Sequence, residues 1–317
     1  MSDSRHEFGG DWTELKLEAI SAYSKFFTGA IGGKFDLWYV DPFAGTGERT
    51  AKEEIGGIFD DAPISTIEKQ YPGSAARALA LAPPFHHFRF GDAKKRHVKA
   101  LQALVELYPD RDAQVLAVDA NEFIQNLFSQ SEWRERDPSG VRRRALVFLD
   151  PYGMEVKWKT LQVLAASQKA DVWFLANLKA AVQQLCHKHE KLSEEKRNAL
   201  REYFGTDRWE ERFYDIKQDE EDMFGSLFNR SQRQANKQDI AEFHRECLAS
   251  LFFYVSSPLP IAVGSTDDYF LLYCMSNNPT PAATRLIDRG ASWVIQRYKQ
   301  ASRHRSALQE GVQSPSC

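Results

Sequence analysis

Four short apolar runs in the first half of the chain each lead, within two residues, into an aspartate. These acids are Asp41, Asp92, Asp119 and Asp150. A short apolar run that ends in a polar group is typical of a strand buried on both faces of a parallel sheet. Segments with helical periodicity separate the runs. The sequence therefore predicts an α/β fold with alternating strands and helices and right-handed crossovers.

The alternation predicts five strands before residue 178, at 35–40, 85–90, 115–118, 145–149 and 172–176. Residues 48–61 are polar and predict a loop, and Pro63 suits the first turn of the helix that follows. Two more strands, at 251–255 and 269–275, precede a closing helix at 282–298. The predicted divisions are a Rossmann-like cofactor-binding core at 1–185, a helical insertion at 186–242, the C-terminal part of the core at 243–303 and a mobile tail at 304–317.

Composition restricts the class of protein. The chain has 317 residues, 43% of them hydrophobic, which is enough to bury a sizeable core. Its formal net charge of -3 gives no overall positive field for nucleic acid. The N-terminus lacks the apolar segment of a signal peptide, and no apolar run is long enough to cross a bilayer, so we expect no membrane partner. Four cysteines without a framework spacing predict a reducing cytoplasm.

A glycine-containing loop follows the first predicted strand. It reads Asp41, Pro42, Phe43, Ala44, Gly45, Thr46 and Gly47. Glycines after a strand let backbone N–H groups approach a ligand where a Cβ atom would clash, and ligands of open parallel sheets sit at the carboxyl ends of the strands. Taken alone, the loop fits an ordinary tight turn equally well.

Acids at successive strand ends match the needs of a nucleoside-like ligand. A carboxylate after the second strand can accept from two ribose hydroxyls, and one after the third can accept from an adenine amino group. The alternative for Asp92 and Asp119 is an N-cap of the following helix. Because four acids lie in register, we favour the ligand interpretation.

Three motifs resemble the three-Cys-motif partner protein family, which is itself similar to class I S-adenosylmethionine-dependent methyltransferases. They are the loop 41–47, the segment Val118-Asp119-Ala120-Asn121 and the segment Phe148-Leu149-Asp150-Pro151-Tyr152-Gly153. Thr13 and Lys16 on the first helix are similar too, as is Tyr269–Tyr273 leading into Asn277-Asn278-Pro279. The resemblance implies a seven-stranded, mostly parallel sheet whose last strand is antiparallel. It also implies S-adenosyl-L-methionine as cofactor and an iron–sulfur partner protein.

By that resemblance, the cofactor contacts fall on Lys16, the loop 41–47, Asp92 and the segment Asp119, Ala120 and Asn121. The family tends to have a glutamate at the end of the second strand. Asp92 stands near that place, so the ribose contact is left between Asp92 and Glu68, which we expect on a helix. The end of the fifth strand also departs from the family, and that end faces the substrate.

The segment Asp150, Pro151, Tyr152 and Gly153 is the predicted catalytic motif. It resembles the Asp/Asn-Pro-Pro-aromatic signature of amino methyltransferases and the Asp-Pro-Phe-Gly form of tRNA guanine-N2 methyltransferases. The resemblance implies a planar amino nitrogen as acceptor, hydrogen-bonded to the Asp150 carboxylate and the Pro151 carbonyl, with Tyr152 stacked on the ring. The alternative is a strand-ending turn with Tyr152 in the core.

Other functions fit less well. An NAD-dependent oxidoreductase is disfavoured because Thr50 holds the third glycine position of Gly-x-Gly-x-x-Gly. The cysteines and histidines at 186–189 and 244–247 match no standard zinc spacing, so we predict no metal. Basic runs at 94–96 and 142–144 make nucleic acid a candidate partner, although solvated charge explains them equally well. A non-catalytic nucleotide-binding subunit remains the alternative function, and the oligomeric state is not predicted.

Overall fold

The computed structural model describes residues 11–55, 65–134, 140–215, 220–221, 227–228, 232–263 and 266–312. The strands are β1 (Asp36–Asp41), β2 (Glu48–Ile55), β3 (Ser65–Pro72), β4 (His87–Asp92), β5 (Asp112–Ala117), β6 (Arg143–Leu149), β7 (Ala170–Asn177), β8 (Glu220–Glu221), β9 (Leu227–Phe228), β10 (Tyr254–Val255), β11 (Leu259–Val263) and β12 (Thr266–Ser276). The helices are α1 (Asp11–Ile31), α2 (Ser74–Leu79), α3 (Lys95–Glu106), α4 (Ala120–Phe128), α5 (Ser131–Arg134), α6 (Trp158–Ser167), α7 (Leu178–Gln184), α8 (Glu194–Phe204), α9 (Trp209–Phe213), α10 (Lys237–Leu251) and α11 (Pro281–Val312). None of the helices in these ranges is long and apolar enough to cross a membrane.

The central sheet has the order β5-β4-β1-β6-β7-β12, with β10 and β11 along the outer edge of β12. The strands from β5 to β7 pair in parallel, whereas β12 is antiparallel to β7. Because β10 and β11 occupy one position in the sheet, the eight strands fill seven positions. The predicted Rossmann-like class I methyltransferase fold, with its antiparallel last strand, is confirmed.

Two apolar clusters cover the two faces of this sheet. Along β7, Val172, Phe174 and Ala176 belong to one cluster. The alternate residues Trp173 and Leu175 belong to the other. Helices α4, α6, α7, α8 and α10 supply the first cluster, and α1, α2, α3 and α11 the second. Since both faces are covered, the strands are apolar along their length and polar groups emerge at their ends.

Three details of the predicted secondary structure are wrong. Glu48–Ile55 and Ser65–Pro72 form an antiparallel hairpin, where a loop and the start of a helix were expected. These polar strands satisfy their backbone groups through each other, so no apolar periodicity reveals them. Glu68 lies on β3 and not on a helix, and Pro63 lies outside the described residues. Of the strand expected at 251–255, only Tyr254–Val255 forms β10, because Leu251 still belongs to α10. The longer strand β11 follows it, and Pro260 is tolerated there at the sheet edge.

The described part of the segment 186–242 is mostly helical and packs into the first cluster. Leu200, Phe204, Trp209 and Phe213 are buried there together with Phe243 of α10. The segment thus shares its core with the sheet, and the proposed boundaries remain predictions. Helix α11 extends to Val312, past the expected start of the tail.

His244 of α10 is buried among aromatic rings. Its ring stacks on Tyr203, with ring centroids 4.7 Å apart and an interplanar angle of 10°. Phe204, Phe174 and Tyr273 contact it edge-on. Neither ring nitrogen has a hydrogen-bond partner among the residues that the structure describes, and burial lowers the pKa of His244 to about 3. The neutral imidazole therefore acts here as an aromatic side chain.

We expect His244→Phe to reduce the acid sensitivity of the fold. The unfolded chain binds a proton at His244 near its ordinary pKa, whereas the folded chain does not. Stability is therefore lost as pH falls below about 6.5, by about 3 kcal/mol at pH 4. Urea unfolding of wild type and His244→Phe across this range measures the difference, with the exposed His187→Gln as control. Equal pH slopes in wild type and His244→Phe would contradict the assignment.

Candidate functional site

The loop after β1 is held in place by backbone hydrogen bonds. Ala44 N–H donates to the Gly91 carbonyl at 3.0 Å, and Gly73 N–H donates to the Gly47 carbonyl at 2.9 Å. Gly45 and Gly47 have positive φ angles of 62° and 76°. A Cβ atom on Gly47 would also lie 2.5 Å from Leu104, whereas one on Gly45 would meet nothing within 4 Å. Packing therefore requires Gly47, and open space lies beside Gly45.

The same loop leaves two amides without partners. Within the described part of the chain, neither Gly45 N–H nor Thr46 N–H donates a hydrogen bond. Gly45 is half-buried and Thr46 is exposed. Two adjacent unpaired donors beside open space form a concavity suited to an anionic group such as a carboxylate.

Asp41 ends β1 and is fully buried. Its carboxylate accepts from Ser74 Oγ at 2.6 Å and from Phe43 N–H at 3.1 Å. Burial raises the pKa of Asp41 to about 7, more than these hydrogen bonds lower it, and the charge of Asp150 raises it further. Asp41 thus stabilises the glycine loop from its buried side, through the hydrogen bond with Phe43 N–H. Ser74, which the sequence analysis missed, opens the first turn of α2.

Lys16 and Asp150 form the ion pair at the centre of the site. Lys16 Nζ donates to both carboxylate oxygens of Asp150, at 2.8 and 2.7 Å. The side chains of Lys16 and Asp150 are only 9% and 20% exposed. The Trp12 ring lies 4.9 Å from Lys16 Nζ and stacks on Phe270 of β12. The first helix is thereby fixed to the end of β6, and a half-buried aromatic pair borders the site.

The turn after β6 is also fixed from two sides. Asn177 at the end of β7 donates from Nδ2 to the Tyr152 carbonyl at 2.9 Å, while its Oδ1 caps α7. Gly153 N–H donates to Glu155. The Pro151 carbonyl accepts no hydrogen bond from the residues that the structure describes. Tyr152 is 75% exposed, so the alternative interpretation that places its side chain in the core is wrong.

Asp92 and Asp119 both lie at the same edge of the sheet. Asp92 accepts from Lys94 N–H at 2.7 Å and from His97 Nδ1 at 3.0 Å. Asp119 is the N-cap of α4, and its Oδ1 alone accepts from the amides of Asn121 and Glu122. Asp119 therefore caps α4 through Oδ1, and its Oδ2 takes no part in the cap.

Ala120 and Asn121 are buried at the start of α4. The Asn121 amide donates to the Glu155 carbonyl at 2.8 Å and accepts from Lys157 N–H and Thr160 Oγ1. Its side chain is thus occupied in joining the turns after β5 and β6. Any contribution of Asn121 to a ligand would be through the position of these turns.

Comparison with known proteins adds little beyond the fold. No protein-family model matches the chain, and no curated protein matches it. Three solved structures show the degree of similarity that was found. LPL1258 from Legionella pneumophila has 12% identity and a TM-score of 0.45, covering 89% of this chain and 92% of that one. Spermidine synthase from Thermotoga maritima has 8% identity and a TM-score of 0.38, covering 84% and 60%. The plantazolicin methyltransferase BpumL, in complex with SAH, has 9% identity and a TM-score of 0.30, covering 84% and 85%. The likenesses are weak, and the strand order of the sheet defines the fold.

We expect Asp41→Asn to stabilise the protein increasingly as pH rises. The folded-state pKa of Asp41 lies above its ordinary value, so wild type loses stability between about pH 4 and pH 7, by at most about 4 kcal/mol. Asparagine keeps an acceptor for Phe43 N–H and a partner for Ser74. Urea unfolding at several pH values measures the difference, with the exposed Asp110→Asn as control. If the free energy of unfolding changes with pH equally in wild type and Asp41→Asn, ionisation of the buried Asp41 does not destabilise the fold.

Proposed function

We propose that the chain is an S-adenosylmethionine-dependent methyltransferase that methylates an amino nitrogen. The observation that carries the proposal is the Asp150 carboxylate, which Lys16 holds at the same sheet edge as the glycine loop. In that loop the Gly45 and Thr46 amides have no partner among the described residues. The carboxyl edge of the sheet thus carries both an acceptor for an amino group, the Asp150 carboxylate, and donors for a ligand carboxylate, the amides of the glycine loop.

The residues at this edge suit the parts of the cofactor. The Gly45 and Thr46 amides suit its carboxylate, Asp92 its ribose hydroxyls and Asp119 Oδ2 its adenine amino group. The acids Asp41 and Asp150 suit its positively charged sulfur. When bound, the cofactor supplies an electrophilic methyl group, so the protein has mainly to orient the acceptor.

Asp150 and Pro151 then orient the acceptor nitrogen. Each carboxylate oxygen of Asp150 has a lone pair beyond the one that faces Lys16, and the Pro151 carbonyl has no partner among the described residues. Hydrogen bonds from both N–H groups of a planar amine to these acceptors favour the pyramidal nitrogen that can attack. Lys16 is a positioning residue, because it fixes the Asp150 carboxylate.

Tyr152 supports a flat substrate. The residue is 75% exposed, while Asn177 donates a hydrogen bond to its backbone carbonyl. An exposed ring on a fixed turn can stack on an extruded base, as in enzymes that act on nucleobases. A nucleobase amino group is therefore the acceptor that we favour.

Calorimetric titration with S-adenosylhomocysteine, S-adenosylmethionine and NAD tests the proposed cofactor. We expect heat of binding with the first two compounds and none with NAD. Binding of NAD alone would reject the proposal. Cofactor binding without methyl transfer to any nucleic acid or protein substrate would favour the non-catalytic subunit instead.

We expect Asp119→Asn to bind S-adenosylhomocysteine about tenfold to a hundredfold more weakly, since loss of a charged hydrogen bond costs roughly 1.5–3 kcal/mol. Asparagine keeps the capping oxygen of α4, so calorimetry reports the ligand contact and not the fold. Asn236→Ala, which removes the N-cap of α10, is the matched control. Unchanged affinity in Asp119→Asn would remove Asp119 from the site.

We expect Asp150→Asn to keep its affinity for S-adenosylhomocysteine and to lower turnover about a hundredfold or more, as loss of a transition-state acceptor does. Asparagine still offers Lys16 one acceptor, which limits the structural damage. Transfer of a labelled methyl group measures turnover, with the exposed Glu106→Gln as control. Full activity of Asp150→Asn, or a product methylated on carbon or oxygen, would contradict the assignment.

A further inference from the structure

One side of α11 carries arginines around an exposed tryptophan. The residues are Arg285, Arg289, Trp293 and Arg297, each four positions after the last, and we call them the basic face of α11. Helical residues at this spacing turn by about 40° and rise by about 6 Å, so the row winds slowly along the helix for about 18 Å. The three arginines are exposed and Trp293 is 46% exposed, while the opposite side of the helix packs into the second apolar cluster.

Positive charge dominates the exposed side of α11. Residues 281–300 contain three arginines and Lys299 but a single carboxylate, that of Asp288. The Oδ1 atom of Asp288 accepts from Ser292 Oγ at 3.3 Å and from Tyr254 Oη at 3.2 Å. None of the three arginines forms an ion pair with a carboxylate in the ranges that the structure describes. The basic face is thus opposite in sign to the chain as a whole, whose formal net charge is -3.

Arg297 fixes the position of the exposed tryptophan. Its guanidinium carbon lies 5.7 Å from the centroid of the Trp293 ring and 5.8 Å from that of Tyr298. Contacts of this length attract a cation to the face of an aromatic ring. Because nearly half of Trp293 is accessible, its indole offers a planar group a surface for stacking. A positively charged surface with an exposed aromatic ring is typical of proteins that bind single-stranded nucleic acid.

The basic face leads toward the carboxyl edge of the sheet. A Cβ atom on Gly290 would lie 2.3 Å from the Phe26 ring of α1. Further along α11, burial raises the pKa of Tyr298 and the nearby charge of Glu18 raises it further. Advancing along α11 therefore corresponds to returning along α1 toward Lys16. The C-terminal end of the basic face is the end nearer to the ion pair at the centre of the candidate site.

We propose that the basic face of α11 binds the backbone of a single-stranded nucleic acid, one base of which reaches Asp150. Arginines bind phosphate oxygens through charged hydrogen bonds, and Trp293 stacks on a base. The bound backbone runs along α11 toward the carboxyl edge, where Asp150 and Tyr152 meet the extruded base. For that destination the inference rests on the proposed function, whereas binding to the basic face is independent of it.

Fluorescence anisotropy of a short labelled single strand, measured at several salt concentrations, tests the basic face. RNA and DNA of the same sequence are the two probes, and the tighter one identifies the sugar of the substrate. We expect Arg289→Gln/Arg297→Gln to bind at least about tenfold more weakly than wild type at low salt. The slope of log affinity against log salt should fall in magnitude by about 1.4, because each phosphate contact to a single strand contributes about 0.7.

The double variant Arg201→Gln/Arg212→Gln is the matched control. It also removes two exposed helical arginines, but these already have carboxylate partners in Asp207 and Glu246. We expect it to bind both probes as wild type does, since it changes the net charge equally and leaves the basic face intact.

Trp293→Leu separates stacking from charge. Leucine keeps an apolar side chain on the helix, so we expect about tenfold weaker binding with an unchanged salt slope, as for the loss of one stacked base. Calorimetry with S-adenosylhomocysteine should give wild-type affinity in every variant, because the basic face lies outside the proposed cofactor contacts. That result also shows that the variants are folded.

The proposal is overturned if wild type binds neither probe at low salt, or if Arg289→Gln/Arg297→Gln binds as well as the matched control. Retention on vesicles that contain phosphatidylserine, without binding of either probe, would assign the basic face to a membrane surface instead. Cofactor binding without nucleic acid binding contradicts the role of the basic face alone. Arginine-dependent binding of the probes without cofactor binding contradicts the proposed methyl transfer and leaves the basic face as a nucleic acid site.

Discussion

A parallel sheet covered by helices on both faces leaves only the ends of its strands for chemistry. In this protein the apolar clusters bury β6 and β7 on both faces, so polar groups emerge at two opposite edges. The carboxyl edge gathers acids and a glycine loop, and the amino edge gathers arginines. The proposed function of the carboxyl edge follows from this constraint, because the parallel pairing brings residues from distant parts of the sequence to the same edge.

At the carboxyl edge, the fully buried Asp41 and the half-buried Asp150 have different environments and different roles. Asp150 is paired with Lys16, so its charge is balanced and its orientation fixed. Asp41 has no ion-pair partner in the described part of the chain, and burial raises its pKa to about 7 while Ser74 and Phe43 donate to it. Asp150 is thus suited to meet a substrate, whereas Asp41 supports the loop that would hold a cofactor. A positively charged ligand near Asp41 would favour its ionised form, which links ligand binding to proton release.

The sequence predicts the sheet well because burial on both faces leaves strong apolar runs, and it locates Asp41, Asp92, Asp119 and Asp150 at one edge. It cannot predict the pairing of Lys16 with Asp150, since 134 residues separate them and no local pattern connects a helix face to a distant strand end. Nor does it reveal the hairpin of β2 and β3, whose polar sequences show no apolar alternation, or the use of Asn121 as a link between two turns. Contacts of this kind depend on tertiary packing.

Amide hydrogen exchange with and without S-adenosylhomocysteine tests the central claim most directly, because it locates the ligand as well as detecting it. If the carboxyl edge is the cofactor site, saturating ligand slows exchange at Gly45 and Thr46, whose amides have no partner among the described residues, and around Asp119. Exchange around Arg142 and Arg144 at the amino edge stays unchanged. Unaltered exchange in the loop 41–47 under saturating ligand, or protection confined to the amino edge, would contradict the account.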